Sequence, residues 1–117
     1  MGKPDATVTR TPTAGDAALA EIVRRLARVY EPVRIYLFGS AARGDATADS
    51  DYDLLVVVPD DAPADKQSED AGYMALRGTG VAVDLLVWTK SAFERQLHLK
   101  ASLPSTVLRE GKLLYGG

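Results

Sequence analysis

The residues able to do chemistry in this chain fall at three places. Gly39 and Ser40 follow an apolar run, Ile35-Tyr36-Leu37-Phe38, and open the stretch Gly39-Ser40-Ala41-Ala42-Arg43-Gly44. Asp51 and Asp53 stand at the head of a second apolar run, Leu54-Leu55-Val56-Val57-Val58. Asp84 interrupts a third, Val81-Ala82-Val83-Asp84-Leu85-Leu86-Val87-Trp88. The pattern predicts one site for a metal ion and a nucleotide, built from these three segments.

Side chains alternate faces along a strand, so Asp51 and Asp53 point the same way if the chain is extended there. Asp84 lies within an apolar strand, where a carboxylate needs a partner or a metal because an unpaired buried charge is costly. If the two strands are neighbours, the three carboxylates can converge. Two such charges ~4 Å apart repel by about 4 kcal/mol at an effective dielectric near ~20. A trio without a cation is therefore a poor structural choice. Oxygen-only ligands suit Mg²⁺ or Mn²⁺, which keep several waters and bind substrate phosphates at the same time. Taken singly, each aspartate reads as a turn cap, a solvated strand end or an arginine's partner; together they read as a metal site.

The glycine turn supplies the complementary half. Backbone N–H groups at a turn that opens a helix are unpaired and hold phosphate well. Gly39 removes the side chain that would block approach, and Ser40 adds a hydroxyl donor. Arg43 can reach a phosphate with its planar fork, or form an ion pair with Asp45, Asp49 or Asp53.

These groups must be held by a small set of elements. Leu19, Ile22, Val23, Leu26, Val29 and Tyr30 recur at helical spacing, predicting a helix over 16–30 with Asp16 at its cap and Glu31-Pro32 at its end. Strands are predicted over 33–38, 52–58 and 81–88, with a short helical turn over 41–43. The unbroken apolar run of the second strand implies burial on both faces. A helix over 64–76 begins after Pro63, and Gly72 argues against it. Ser91 and Glu94 have the spacing of a capping box for a helix to Leu99. A short helix from Pro104, ended by Gly111, and a final strand over 113–115 complete the chain. Residues 1–15, rich in Thr, Pro, Gly and Ala, read as a loose arm, and 16–117 as a single domain.

The whole composition narrows the choice. The 117 residues fit one domain with one core. The chain has no cysteine, which removes disulfides and thiolate chemistry. Its formal net charge of −2 and lack of a basic cluster give no support for direct nucleic-acid binding. No apolar run approaches the ~18 residues that span a membrane, and the N-terminus lacks the apolar segment of a signal peptide, so a cytoplasmic location is expected.

Gly39-Ser40, ten residues, then Asp51-Tyr52-Asp53 resembles the signature of the DNA polymerase β-like nucleotidyltransferase superfamily. The longer form, Gly-Ser-x-Ala-Arg-Gly followed by Ser-Asp-x-Asp-Leu, resembles its small branch, the minimal nucleotidyltransferases (MNT). The resemblance implies an α/β (α+β) fold, a small mixed sheet flanked by helices, with the site at one end. It implies that Gly39 and Ser40 hold the triphosphate of ATP, that Asp51 and Asp53 bind two Mg²⁺ ions, and that Asp84 completes one of them and assists deprotonation of an acceptor hydroxyl. Small MNT proteins are commonly antitoxins partnered by a HEPN-family toxin, a ribonuclease. The expectation is therefore AMP transfer from ATP to a tyrosine of such a partner, which would supply the acceptor that larger relatives hold in an extra domain. The alternatives are an antitoxin that blocks its toxin by docking alone, and a small-molecule nucleotidyltransferase of the aminoglycoside-modifying kind.

Overall fold

The computed structural model describes residues 14–44 and 51–116. The arm expected over 1–15 lies outside these, apart from residues 14 and 15, which belong to the first helix. That helix, α1 (Ala14–Tyr30), starts two residues earlier than its expected cap, so Asp16 falls inside the first turn. Its apolar stripe is the one the spacing predicts: Ile22 and Leu26 are fully buried, Tyr30 nearly so, and Leu19, Val23 and Val29 pack beside them. Glu21 pairs with Arg24 and Arg25 at helical i,i+3 and i,i+4 spacing on the outer flank. Glu31 closes the helix with a left-handed φ of 48°, donating its N–H to Ala27 O, and Pro32 prevents any continuation.

Among the described residues, four strands form one mixed sheet: β1 (Arg34–Phe38), β2 (Tyr52–Val58), β3 (Val83–Thr89) and β4 (Lys112–Gly116). Their spatial order is β3-β2-β1-β4. β1 pairs antiparallel with β2 and with β4, and β2 pairs parallel with β3. A parallel pair needs a crossover. Here it is the segment after Pro59, which contains a 3₁₀ turn, Ala64–Gln67, and the helix α3 (Glu69–Ala75). The other helices are α2 (Gly39–Arg43), α4 (Lys90–Arg95) and α5 (Leu103–Glu110).

Strand alternation divides the core in two. Leu54, Val56, Val58, Leu85 and Val87 face α1 and α3. Leu55, Val57, Leu86 and Trp88 face α4 and α5, where Phe93 and Val107 are buried and Phe93 stacks on Tyr36. β2 is therefore covered on both faces, as its unbroken apolar run requires.

Three local readings of the sequence are corrected. The single helix expected over 64–76 is broken at Ser68, whose extended backbone lets its hydroxyl accept the Asp70 N–H and start α3 afresh. The helix expected from Ser91 to Leu99 is capped by Thr89, which accepts the Ala92 N–H, and it ends at Arg95. Ser91 is not the cap because its N–H and hydroxyl both donate to Asp60. Those hydrogen bonds hold the Asp60 carboxyl below its ordinary range.

Gly72, the residue that argued against the helix, is what lets α3 dock. It is buried, and a Cβ there would lie 2.2 Å from Leu85 Cδ2 and 2.8 Å from the Tyr30 hydroxyl. That hydroxyl accepts the Gly72 N–H at 2.8 Å and donates to Ser68 O at 2.6 Å. Gly72→Ala should therefore destabilise by about 1–3 kcal/mol through overpacking, against the ~1 kcal/mol gain that helix propensity alone would give. A urea midpoint higher than wild type would refute the packing argument.

Burial, aided by the charges of Glu69 and Asp70, pushes the Tyr30 hydroxyl up to about 12. In the unfolded chain it titrates near about 10. Between these values the folded state keeps a proton that the unfolded state releases, so this contribution is intact below the lower value and disappears as pH climbs through the higher one. Urea midpoints measured from about pH 9 to about 12 should fall more steeply in wild type than in Tyr30→Phe; equal slopes would exclude Tyr30 as the cause.

Candidate active site

The site is assembled by strand register. Phe38, the last residue of β1, pairs with Asp53, and Asp53 pairs in parallel register with Asp84. Neighbouring strands lie ~4.8 Å apart, and partners in register share a face. The two aspartates thus stand side by side on the face that also carries Leu55, Val57, Leu86 and Trp88. Like charges in directly opposed positions repel each other.

Gly39 follows Phe38 at once and opens α2 with a φ of +74°. A Cβ at this position would lie 2.1 Å from Asp53 Oδ2 and 3.0 Å from its Cγ. The carboxylate therefore rests directly over the glycine Cα, in space that any side chain would fill. Glycine is required twice, for the left-handed backbone and for the close approach.

The remaining expected residues are placed as follows. Asp51 is exposed and lies immediately ahead of β2, two residues from the half-buried Asp53; Asp84 is exposed. Ser40 and Arg43 lie in α2 by their backbone, and their side chains fall outside the description. Residues 45–50, which include Asp45 and Asp49, also lie outside the described residues. Among the described residues, no three Asp, Glu or His side chains are gathered, as they stand, into a group that could hold a metal ion. The donor set is all carboxylate oxygen beside a glycine cradle, which fits a hard cation such as Mg²⁺ or Mn²⁺ and a phosphate together.

Sequence reasoning passed over two residues beside this site. The Leu85 N–H, next to Asp84, donates to the Tyr73 hydroxyl at 3.0 Å, and the Val87 N–H donates to Glu69 Oε2 at 3.0 Å. Neither Tyr73 nor Glu69 stands out by residue type or local motif. Their separation by four residues on one predicted helix was the available signal.

Comparison with known proteins decides the family. The model of the nucleotidyltransferase domain matches residues 18–114. The chain belongs to the nucleotidyltransferase domain family. It is 33% identical over 102 residues to a Methanocaldococcus jannaschii protein that carries the name protein adenylyltransferase, covering 86% of this chain and 97% of that one. A Sulfolobus solfataricus protein named as a nucleotidyltransferase shares the fold at a TM-score of 0.55 and 22% identity, over 94% of this chain and 93% of its own. A toxin–antitoxin structure solved with AMP-PNP matches at a TM-score of 0.56 and 26% identity, over 82% of this chain and 72% of that chain. The mixed four-stranded sheet with flanking helices is thus the nucleotidyltransferase fold that the motif led one to expect. None of the described helices is long and apolar enough to cross a membrane.

The Gly39 contact yields a direct test. Gly39→Ala should displace the Asp53 carboxylate and cost about 1–2 kcal/mol in backbone strain, leaving a folded protein with little or no nucleotidyltransferase activity. Thermal unfolding and activity should be read together. An active Gly39→Ala enzyme would show that the close approach of Asp53 to the glycine is not needed.

Proposed function

We propose that this chain is a protein adenylyltransferase that moves AMP from ATP to a hydroxyl of a partner protein, a tyrosine of a HEPN-family toxin, and so acts as an antitoxin. The observation that carries this reading is the parallel register of Asp53 with Asp84 against the Gly39 turn, in a chain that spans nearly the whole of a relative named protein adenylyltransferase. The toxin–antitoxin likeness supports the choice of partner.

In this reading Gly39 and Ser40 hold the triphosphate through backbone N–H groups and the serine hydroxyl, and Arg43 neutralises part of its charge. Asp51, Asp53 and Asp84 would hold Mg²⁺, with Mn²⁺ an acceptable substitute. When bound, the ions supply neutralisation of the reacting phosphate and a lowered pKa for the acceptor hydroxyl. Asp84 takes the acceptor proton on its carboxylate. The acceptor oxygen bonds to the α-phosphorus as the bond from that phosphorus to the departing pyrophosphate breaks. Orientation of the two reactants accounts for much of the acceleration, which few residues can supply.

Purified chain, ATP, Mg²⁺ and a HEPN-type partner protein should give a partner heavier by one adenylyl group, lying on a tyrosine. Asp53→Ala and Asp84→Ala should each reduce transfer by at least ~100-fold without loss of fold. Inhibition of the toxin with no change in its mass would replace this reading with docking alone. Turnover of a small-molecule acceptor by the chain without any protein partner would replace it with an antibiotic-type transferase.

A further inference from the structure

The outer edge of β3 is held by side chains where a strand would otherwise lie. Alternate residues of a strand direct their backbone groups to opposite edges, and Leu85 and Val87 direct theirs away from β2. Tyr73 and Glu69 receive those two N–H groups. Four residues of helix advance about 6 Å, and two residues of strand about 6.6 Å. One face of α3 therefore matches the repeat of the strand edge and satisfies consecutive outward donors.

α3 is itself tied to the long helix. Tyr30 joins Ser68 O and the Gly72 N–H, and Arg25 donates to Ala75 O at 3.3 Å and Arg77 O at 3.0 Å. A chain of hydrogen bonds thus runs from α1 through α3 to the residue after Asp84. Asp84 is only the second residue of β3. The turn ahead of it contains Gly78 and Gly80, both at positive φ and both with open space where a Cβ would project. Strand ends beside such turns open readily unless both edges are held.

We propose that Tyr73 and Glu69 are positioning residues: they fix the outer edge of β3 so that Asp84 stays level with Asp53. Their catalytic consequence rests on the transferase reading given above. The same contacts occupy N–H groups that could template another strand, so β3 is closed to strand addition along this stretch.

The test uses the full chain with Tyr73→Phe, Glu69→Ala and Glu69→Gln, the last retaining a carbonyl acceptor. Amide hydrogen exchange, Mn²⁺ affinity by calorimetry and steady-state transfer are measured on each. Tyr73→Phe should speed exchange at Leu85 by about three- to tenfold while leaving Leu54 unchanged. It should weaken Mn²⁺ binding by about tenfold and lower kcat with KM for ATP little altered. Glu69→Ala should act likewise at Val87, and Glu69→Gln should largely restore it. Unchanged exchange at Leu85 and Val87 overturns the clamp. Faster exchange with unaltered Mn²⁺ affinity, or no Mn²⁺ binding by wild type, overturns the positioning role. Weakened Mn²⁺ binding in the variants of a chain that transfers nothing supports the positioning role and counts against the transferase reading alone.

Discussion

Two carboxylates held abreast on neighbouring parallel strands are the constraint around which this fold is arranged. Asp53 stands opposite Asp84 although like charges so placed repel. The favourable terms lie elsewhere. Leu54, Leu55, Val56 and Val58 are fully buried in the strand that follows Asp53, and Leu85 and Val87 are buried in the strand that follows Asp84. Each aspartate sits at the site end of a strand whose remainder is held by apolar burial. At ~25 cal/mol per Å² that burial far exceeds one surface repulsion. The core imposes the register, and the register imposes the site.

The glycine at the end of β1 belongs to the same logic. Because β1 is antiparallel to β2, its last residue meets Asp53, and the chain must turn at that point. A residue with a side chain would meet the carboxylate and would also resist the positive φ. The turn, the acidic pair and the antiparallel pairing of Phe38 with Asp53 are thus one arrangement seen from three elements.

Much of this was legible in the chain, and what was not has a common cause. The apolar runs gave the strands that became β1, β2 and β3, and the helical spacing of Ile22, Leu26 and Tyr30 gave α1. The break at Ser68, the cap at Thr89 and the role of Asp60 do not show in the spacing, because each is decided by a side chain bonding to a backbone group. For Asp60 that group lies 31 residues away, where no local spacing rule reaches. The same holds for Tyr73 and Glu69, whose partners are set by how α3 crosses the sheet. Gly72 was read as a weakness of the helix because propensity was visible and its neighbours Tyr30 and Leu85 were not. At the site, residue types and order were visible in the sequence, while the pairing of Asp53 with Asp84 came only with the strand register.

The unequal exposure of the two aspartates divides their work within the proposed transfer. Asp53 is half-buried against the Gly39 turn, the part of the site suited to phosphate. Asp84 is exposed on the strand that forms one edge of the described sheet. A hydroxyl carried by another protein has to approach from outside, and of these two carboxylates the more exposed is Asp84. That carboxylate is also the one whose strand is anchored from the outside by Tyr73 and Glu69. An acid group that must meet a large partner cannot be fixed by burial without being hidden. Holding the backbone beside it from the far edge fixes its position and leaves the side chain open.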